Sequence, residues 1–193
     1  MNKSAGPVLL LVACLFGAGC VVQSVKPWLS DESLVEDPSL LGTWHDAEGK
    51  CTAFFTGASD SDSGYDVLLV QNGRDISRFV ATLHRIDDTL LLVVGPGDPG
   101  NLNGCVLLPG HLLFQSILEG NSLRLHAIDL ESFGDRAARS QAPLLAGGSP
   151  NDGYALTGTT ADSEAFLRAQ LADPEFFDAE PLYSFRKLPA ATP

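Results

Sequence analysis

The stretch YDVLLVQNGRDISRFVATLHRIDDTLLLVV, residues 65 to 94, decides the fold class. Three runs rich in aliphatic, β-branched and aromatic residues, Tyr65 to Gln71, Ile76 to Ile86 and Thr89 to Val94, are parted by Asn72-Gly73 and Asp87-Asp88. Asn-Gly readily takes the left-handed conformations that a tight hairpin turn demands, so the stretch predicts consecutive antiparallel strands. Val67-Leu68-Leu69-Val70 and Leu90-Leu91-Leu92-Val93-Val94 do not alternate strictly. They predict strands buried on both faces, with helices as cover.

The pattern continues in both directions. Upstream, Leu41 to His45 and Cys51 to Thr56 read as strands around the turn at Ala47-Glu48-Gly49, and Asp60-Ser61-Asp62-Ser63-Gly64 reads as a loop. Downstream, Gly95 to Gly104 is a loop, Cys105 to Leu108 and Leu112 to Leu118 are strands broken by Pro109-Gly110, and Glu119-Gly120-Asn121 turns into Ser122 to Ile128. Many short strands with regular turn signals predict a mostly β chain, a sandwich or barrel. Two helices interrupt it, a short one over Asp129 to Arg139 and one over Ala161 to Leu171. Thr160 is the expected cap of the second, with Ala165, Phe166 and Leu167 facing inward. Ala142 to Pro150 reads as loop, Tyr154 to Gly158 as a strand, and Leu182 to Leu188 as the closing strand.

The N-terminus has a different character. Lys3 is followed by an uncharged run from Ala5 to Val22 that includes VLLLV at Val8 to Val12, and small residues Gly17-Ala18-Gly19 precede Cys20. A basic start, an apolar stretch and small residues before a cut describe an export signal. An uncleaved transmembrane anchor is the alternative, since the run is just long enough to span a bilayer. Gly6-Pro7, Gly17 and Gly19 interrupt it, and no basic cluster follows.

Gly17-Ala18-Gly19-Cys20 resembles the lipobox of bacterial lipoproteins, with Gly17 where that family prefers leucine. The resemblance implies cleavage after Gly19, diacylglycerol on the thiol of Cys20, and acylation of the new amine. Leu11-Val12-Ala13-Cys14 fits the same letter pattern and stays open as an alternative. The expected organisation is a signal helix at 1–19, a tether at 20–39 in which Trp28 and Leu34 can dock, a β-barrel domain at 40–189 and a tail at 190–193. More than one acyl chain gives stable anchoring. Val21, rather than Asp, after the cysteine leans toward the outer membrane if the organism is diderm.

Gly42-Thr43-Trp44 among meander strands resembles the lipocalin-like barrels. There the tryptophan plugs a barrel end and the glycine lets backbones pass closely. Val25-Lys26-Pro27-Trp28, Asp37-Pro38-Ser39-Leu40-Leu41-Gly42-Thr43-Trp44 and Asp162-Ser163-Glu164-Ala165-Phe166-Leu167 resemble a family of uncharacterised bacterial lipoproteins. That family implies a lipocalin-like barrel behind a lipid anchor and brings no activity.

Charge and cysteines narrow the partners. Net charge is −12, and removing Lys3 with the signal leaves 11 basic against 24 acidic residues, a balance of −13. Such a surface repels phosphate backbones, so nucleic acid is not an expected partner. With Cys14 removed and Cys20 acylated, Cys51 and Cys105 are left for one disulfide in an oxidising compartment, or as two buried thiols.

No constellation of catalytic residues stands out. A calcium loop starting at Asp60 needs glycine sixth and glutamate twelfth, and those positions hold Tyr65 and Gln71. The loop at Gly95 to Gly104 lacks the lysine and helix of a phosphate site. His45, His84, His111 and His126 form no close pair and fall in strands. With no HExxH or other close pair no metal is expected, and no cofactor is; nor is there a nucleophile elbow to mark a hydrolase. The expected function is a lipid-anchored envelope protein, holding a small hydrophobic ligand or an envelope component. The alternatives are an interaction protein with a filled barrel and an envelope hydrolase; the protein partner is not specified by the sequence.

Overall fold

A computed structural model describes residues 22–59, 63–97, 110–146 and 153–189. The signal segment, Gly19, Cys20, Cys105 and the tail lie outside the described residues. Among those described, the strands are β1 (Val22–Ser24), β2 (Gly42–Asp46), β3 (Cys51–Gly57), β4 (Tyr65–Gln71), β5 (Asp75–Ile86), β6 (Thr89–Pro96), β7 (His111–Glu119), β8 (Ser122–His126), β9 (Leu144–Ala146), β10 (Tyr154–Leu156) and β11 (Tyr183–Lys187). Helix α1 spans Leu130–Arg139 and α2 spans Thr160–Gln170.

Eight strands close a barrel. β2 to β8 follow one another as an antiparallel meander, and β11 pairs with both β8 and β2 to seal it. The expected lipocalin-like barrel is therefore what the chain forms. The turns work as their residues require. Asn72 and Gly73 have φ of 51° and 67°, and the Arg74 N–H closes on the Gln71 carbonyl at 3.0 Å. Asp87, also at φ 51°, makes the tight link from Ile86 to Thr89.

The register separates two cores. Trp44, Ala53, Phe55, Tyr65, Val67, Ala81, Leu83, Leu92, Phe114, Leu123, Leu125 and Phe185 fill the barrel. The intervening Leu91, Val93 and Leu113 point out of the wall into a second core with Trp28, Phe133, Leu156, Phe166, Leu167 and Phe176. This explains why β6 does not alternate. Its inner face meets the barrel interior and its outer face meets the helices. Full burial of each large side chain contributes roughly 1.5–3 kcal/mol.

Local sequence sets the helix starts. Asp129 accepts hydrogen bonds from the Glu131 and Ser132 N–H groups at the head of α1. α2 begins with a reciprocal box. Thr159 Oγ1 accepts from the Asp162 N–H at 3.2 Å, and the Asp162 carboxylate accepts from the Thr159 N–H at 2.8 Å. The cap is thus Thr159, one residue before the expected Thr160. Ala165 is exposed, and Ser163 takes its place on the buried face with Phe166 and Leu167.

The segment expected to be a tether is folded from Val22 onward. β1 pairs antiparallel with β7 and parallel with β10. Trp28 is fully buried, Leu29 and Leu40 nearly so, and the turn Pro38–Leu40 leads straight into β2. The apolar residues Trp28, Leu29 and Leu40 drive this, because each covers barrel or helix surface that water would otherwise wet. Inside the stretch read as loop, Leu144–Ala146 adds β9 to β10.

Candidate functional site

Three places bear on function: the barrel interior with its Gly42/Trp44 end, a shallow cleft beside it, and the buried histidines. At the barrel end, Gly42 has φ +127°, a conformation that favours glycine, and a Cβ there would meet Lys187 Cε at 2.9 Å. Two residues on, Trp44 is fully buried, and its indole N–H donates to the Leu40 carbonyl at 2.8 Å. Lys187 places its ammonium 5.2 Å over the Trp44 ring and donates to the Ser39 carbonyl at 2.5 Å. The cation thus rests on the negative face of the ring while its proton is satisfied by backbone.

Behind Trp44 the interior is occupied by side chains. Phe55 and Tyr65 meet edge-on with centroids 6.3 Å apart, and Tyr183 stacks on Phe185 at 5.5 Å. Phe114 and Phe185 are buried on the same inner face. An eight-stranded barrel is just wide enough to be filled this way. Cys51 lies in this interior and has no disulfide partner among the described residues; burial, helped by the Asp46 charge, pushes its thiol, while reduced, up to about 11. Burial and the nearby Cys51 push the Tyr183 hydroxyl up to about 12. Both groups are neutral at physiological pH, and Cys51 is a poor nucleophile there.

The cleft beside the barrel encloses ≈ 220 Å³ and is lined by Glu36, Pro38, Leu41, Gly57, Ala58, Gly64 and Tyr65. The Tyr65 hydroxyl is committed to backbone: it accepts from the Asp37 N–H at 2.9 Å and donates to the Asp37 carbonyl at 3.2 Å. The Ser39 hydroxyl donates to Asp37 and holds that carboxyl below its ordinary value. Ligand pockets usually enclose about 300–1,000 Å³, so this cleft suits only a small group.

The four histidines occupy four strands and different settings. His84 is nearly fully buried. Its Nδ1 lies 2.9 Å from Ser33 Oγ and its Nε2 2.9 Å from Thr82 Oγ1. Burial lowers its pKa, opposed by the charges of Asp31 and Glu164. This serine–histidine pair has a threonine where a catalytic carboxylate would stand, and both partners are buried. It fastens the Asp31–Ser33 turn to β5. His126 Nδ1 donates to the Asp178 carbonyl at 2.9 Å, and its Nε2 is buried with no hydrogen-bond partner among the described residues. Among the described residues His111 Nδ1 and Ser116 Oγ are likewise buried without a hydrogen-bond partner. Ser116 shares the inner face with Leu125, whereas His126, opposite Gln115, is on the outer face, so the two form no common site. Among the described residues the His45 ring has one hydrogen-bond partner, Thr52 Oγ1, at 3.4 Å. Among the described residues no three His, Cys, Asp or Glu side chains converge as metal ligands, and no helix is long and apolar enough to cross a membrane.

Of the site residues expected from sequence, Gly42 and Trp44 are brought together with Lys187, which sequence reading did not select. Cys51 is placed in the interior, whereas Cys105, its expected partner, and Cys20 and Gly19 lie outside the described residues. The Ser33–His84 pair had no sequence signal, because the two residues meet only through a turn packing on a distant strand. No family model, curated protein or solved structure matches the chain.

Proposed function

We propose that this chain is an exported, lipid-anchored protein of the bacterial envelope whose barrel is a packed body for contact with an envelope component, not a carrier of a ligand. The signal is cut after Gly19, and Cys20 carries the acyl chains. The observation that carries the barrel part of this reading is the filled interior: Trp44, Phe55, Tyr65, Phe114 and Phe185, each 7% exposed or less, stand where a carried ligand would sit. A balance of −13 on the mature chain supports a partner other than nucleic acid or anionic headgroups. The dispersed histidines give the hydrolase alternative no support.

Export places Cys51 and Cys105 in an oxidising compartment, and their pairing there belongs to the same reading. The anchor is tested by growth with a fatty-acid analogue. Wild type should carry the label and Cys20→Ala should not; equal labelling of the two overturns the assignment. Peptide mapping without reduction tests the disulfide, and separate Cys51 and Cys105 peptides would refute it.

A further inference from the structure

The outer wall of β3, β4 and β5 carries apolar side chains that belong to neither core. Phe54 lies opposite Leu68, and Leu68 opposite Arg78; Val70 faces Ile76 in the row to one side, and Asp66 faces Val80 in the row to the other. Phe54, Ile76 and Val80 are 36%, 56% and 37% exposed, and Leu68 and Val70 between them are half-buried. None of the five joins the barrel core or the second core. An interface of standard size buries about 800 Å² on each partner, with an apolar centre and a polar rim. These rows have the make-up of such a centre, and Thr52 and Thr56 on β3 begin its rim.

Charge decides what such a wall can meet. The chain carries −12, so two copies repel unless they touch where the surface is locally neutral. The three rows hold one acid and one base, Asp66 and Arg78. Asp66 Oδ2 accepts from the Ser59 N–H and hydroxyl at 3.1 and 3.0 Å. The exposed Arg78 guanidinium has no ion pair among the described residues. Leu68, Asp66, Val80 and Arg78 are the corners of a rectangle on β4 and β5, with the charges on one diagonal and the apolar pair on the other. A two-fold axis laid along the apolar diagonal brings each acid to the other copy's base, and each apolar corner to its own counterpart. In an isologous contact of this kind every pair is made twice.

We propose that the β3–β4–β5 wall is the interface of a symmetric dimer of this chain, in which Arg78 pairs with the partner's Asp66. Leu68 and Val80 sit at the centre of the contact, and Phe54, Val70 and Ile76 add apolar surface around them. The inference goes beyond the function proposed above and does not depend on what Cys20 carries.

The test is native mass spectrometry of the full chain, released from mild detergent, over a concentration series. The expected result is a dimer whose share grows with concentration. Arg78→Asp sets like charges against each other twice and should weaken the dimer about tenfold or more. Adding Asp66→Arg to that variant should restore it. A chain that stays monomeric at every concentration overturns the proposal, and so does a dimer that Arg78→Asp leaves intact. A second measurement leaves both charges in place. Val80→Cys is mildly oxidised in parallel with Ala165→Cys, an exposed position on α2 outside this wall. The first should give a cross-linked dimer and the second should not; equal cross-linking of the two overturns the wall as the interface. Fatty-acid labelling of Cys20 is read separately, so loss of the anchor and loss of the dimer are distinct results.

Discussion

The indole N–H of Trp28 donates to the backbone carbonyl of His111 at 2.8 Å, tying the N-terminal segment to the first residue of β7. The indole is fully buried between that strand and the helices, so it supplies both a hydrogen bond and a large apolar surface. Trp28→Phe keeps most of the surface and leaves the carbonyl unpaired, a loss of about 1–3 kcal/mol. Trp28→Ala also opens a cavity and should cost about 3–5 kcal/mol. Urea unfolding followed by circular dichroism measures both. A loss within 0.5 kcal/mol of zero for the alanine variant, the usual size for a surface site, would mean that this segment is not part of the cooperative fold.

At Gly42 the backbone itself makes the demand. Its φ of +127° is strained for any other residue, and the new Cβ would crowd the Lys187 chain that lies over Trp44. Gly42→Ala should lose about 1–3 kcal/mol. Gly57→Ala is the control, since a Cβ there meets nothing within 4 Å and no unusual φ is involved. It should unfold at the wild-type midpoint. Equal midpoints for Gly42→Ala and wild type would show that the barrel end does not depend on this close passage.

His84 gives the fold a dependence on pH. Burial lowers its pKa below the ordinary 6.5, although the charges of Asp31 and Glu164 oppose the shift. Between the folded and unfolded values the unfolded chain binds more protons, so stability rises with pH across that window. The contribution is fully present above 6.5 and is lost as pH falls through the folded pKa. His111, whose pKa burial also lowers, acts in the same direction. His84→Gln can still bond Ser33 and Thr82 and does not titrate. Its unfolding free energy should fall less than that of wild type between pH 7 and pH 5. Equal slopes would remove His84 from the acid response.

Much of the barrel was legible because its signals are local. Asn72-Gly73 and Asp87-Asp88 mark turns through backbone conformation, and β4 runs over Tyr65–Gln71 as its composition predicts. The unbroken apolar run Leu90 to Val94 correctly signalled a strand with cores on both sides, whereas the run Val67 to Val70 did not: of its four residues only Val67 is buried, and no described helix covers the outer face of β4. β1 and β9 were not legible. Each is three residues long, and β1 pairs with β7 and β10, which lie far along the chain, so no local turn marks it. Ala165 was misplaced because one residue of phase on a helix changes the buried face. The barrel-end residues were found through the Gly42-Thr43-Trp44 motif. Lys187, its third member, enters only when β11 closes the barrel against β2.

The central claim about activity is that the barrel interior holds side chains and not a ligand. Trp44, buried within it, is a built-in reporter. The most direct measurement is a titration of the acylated protein, in mild detergent, with a long-chain fatty acid, following tryptophan emission and one-to-one binding by native mass spectrometry. A filled barrel predicts no saturable change in emission and only the mass of the acylated chain. A saturable shift with a one-to-one complex, abolished by Ala81→Phe at the inner wall, would contradict it.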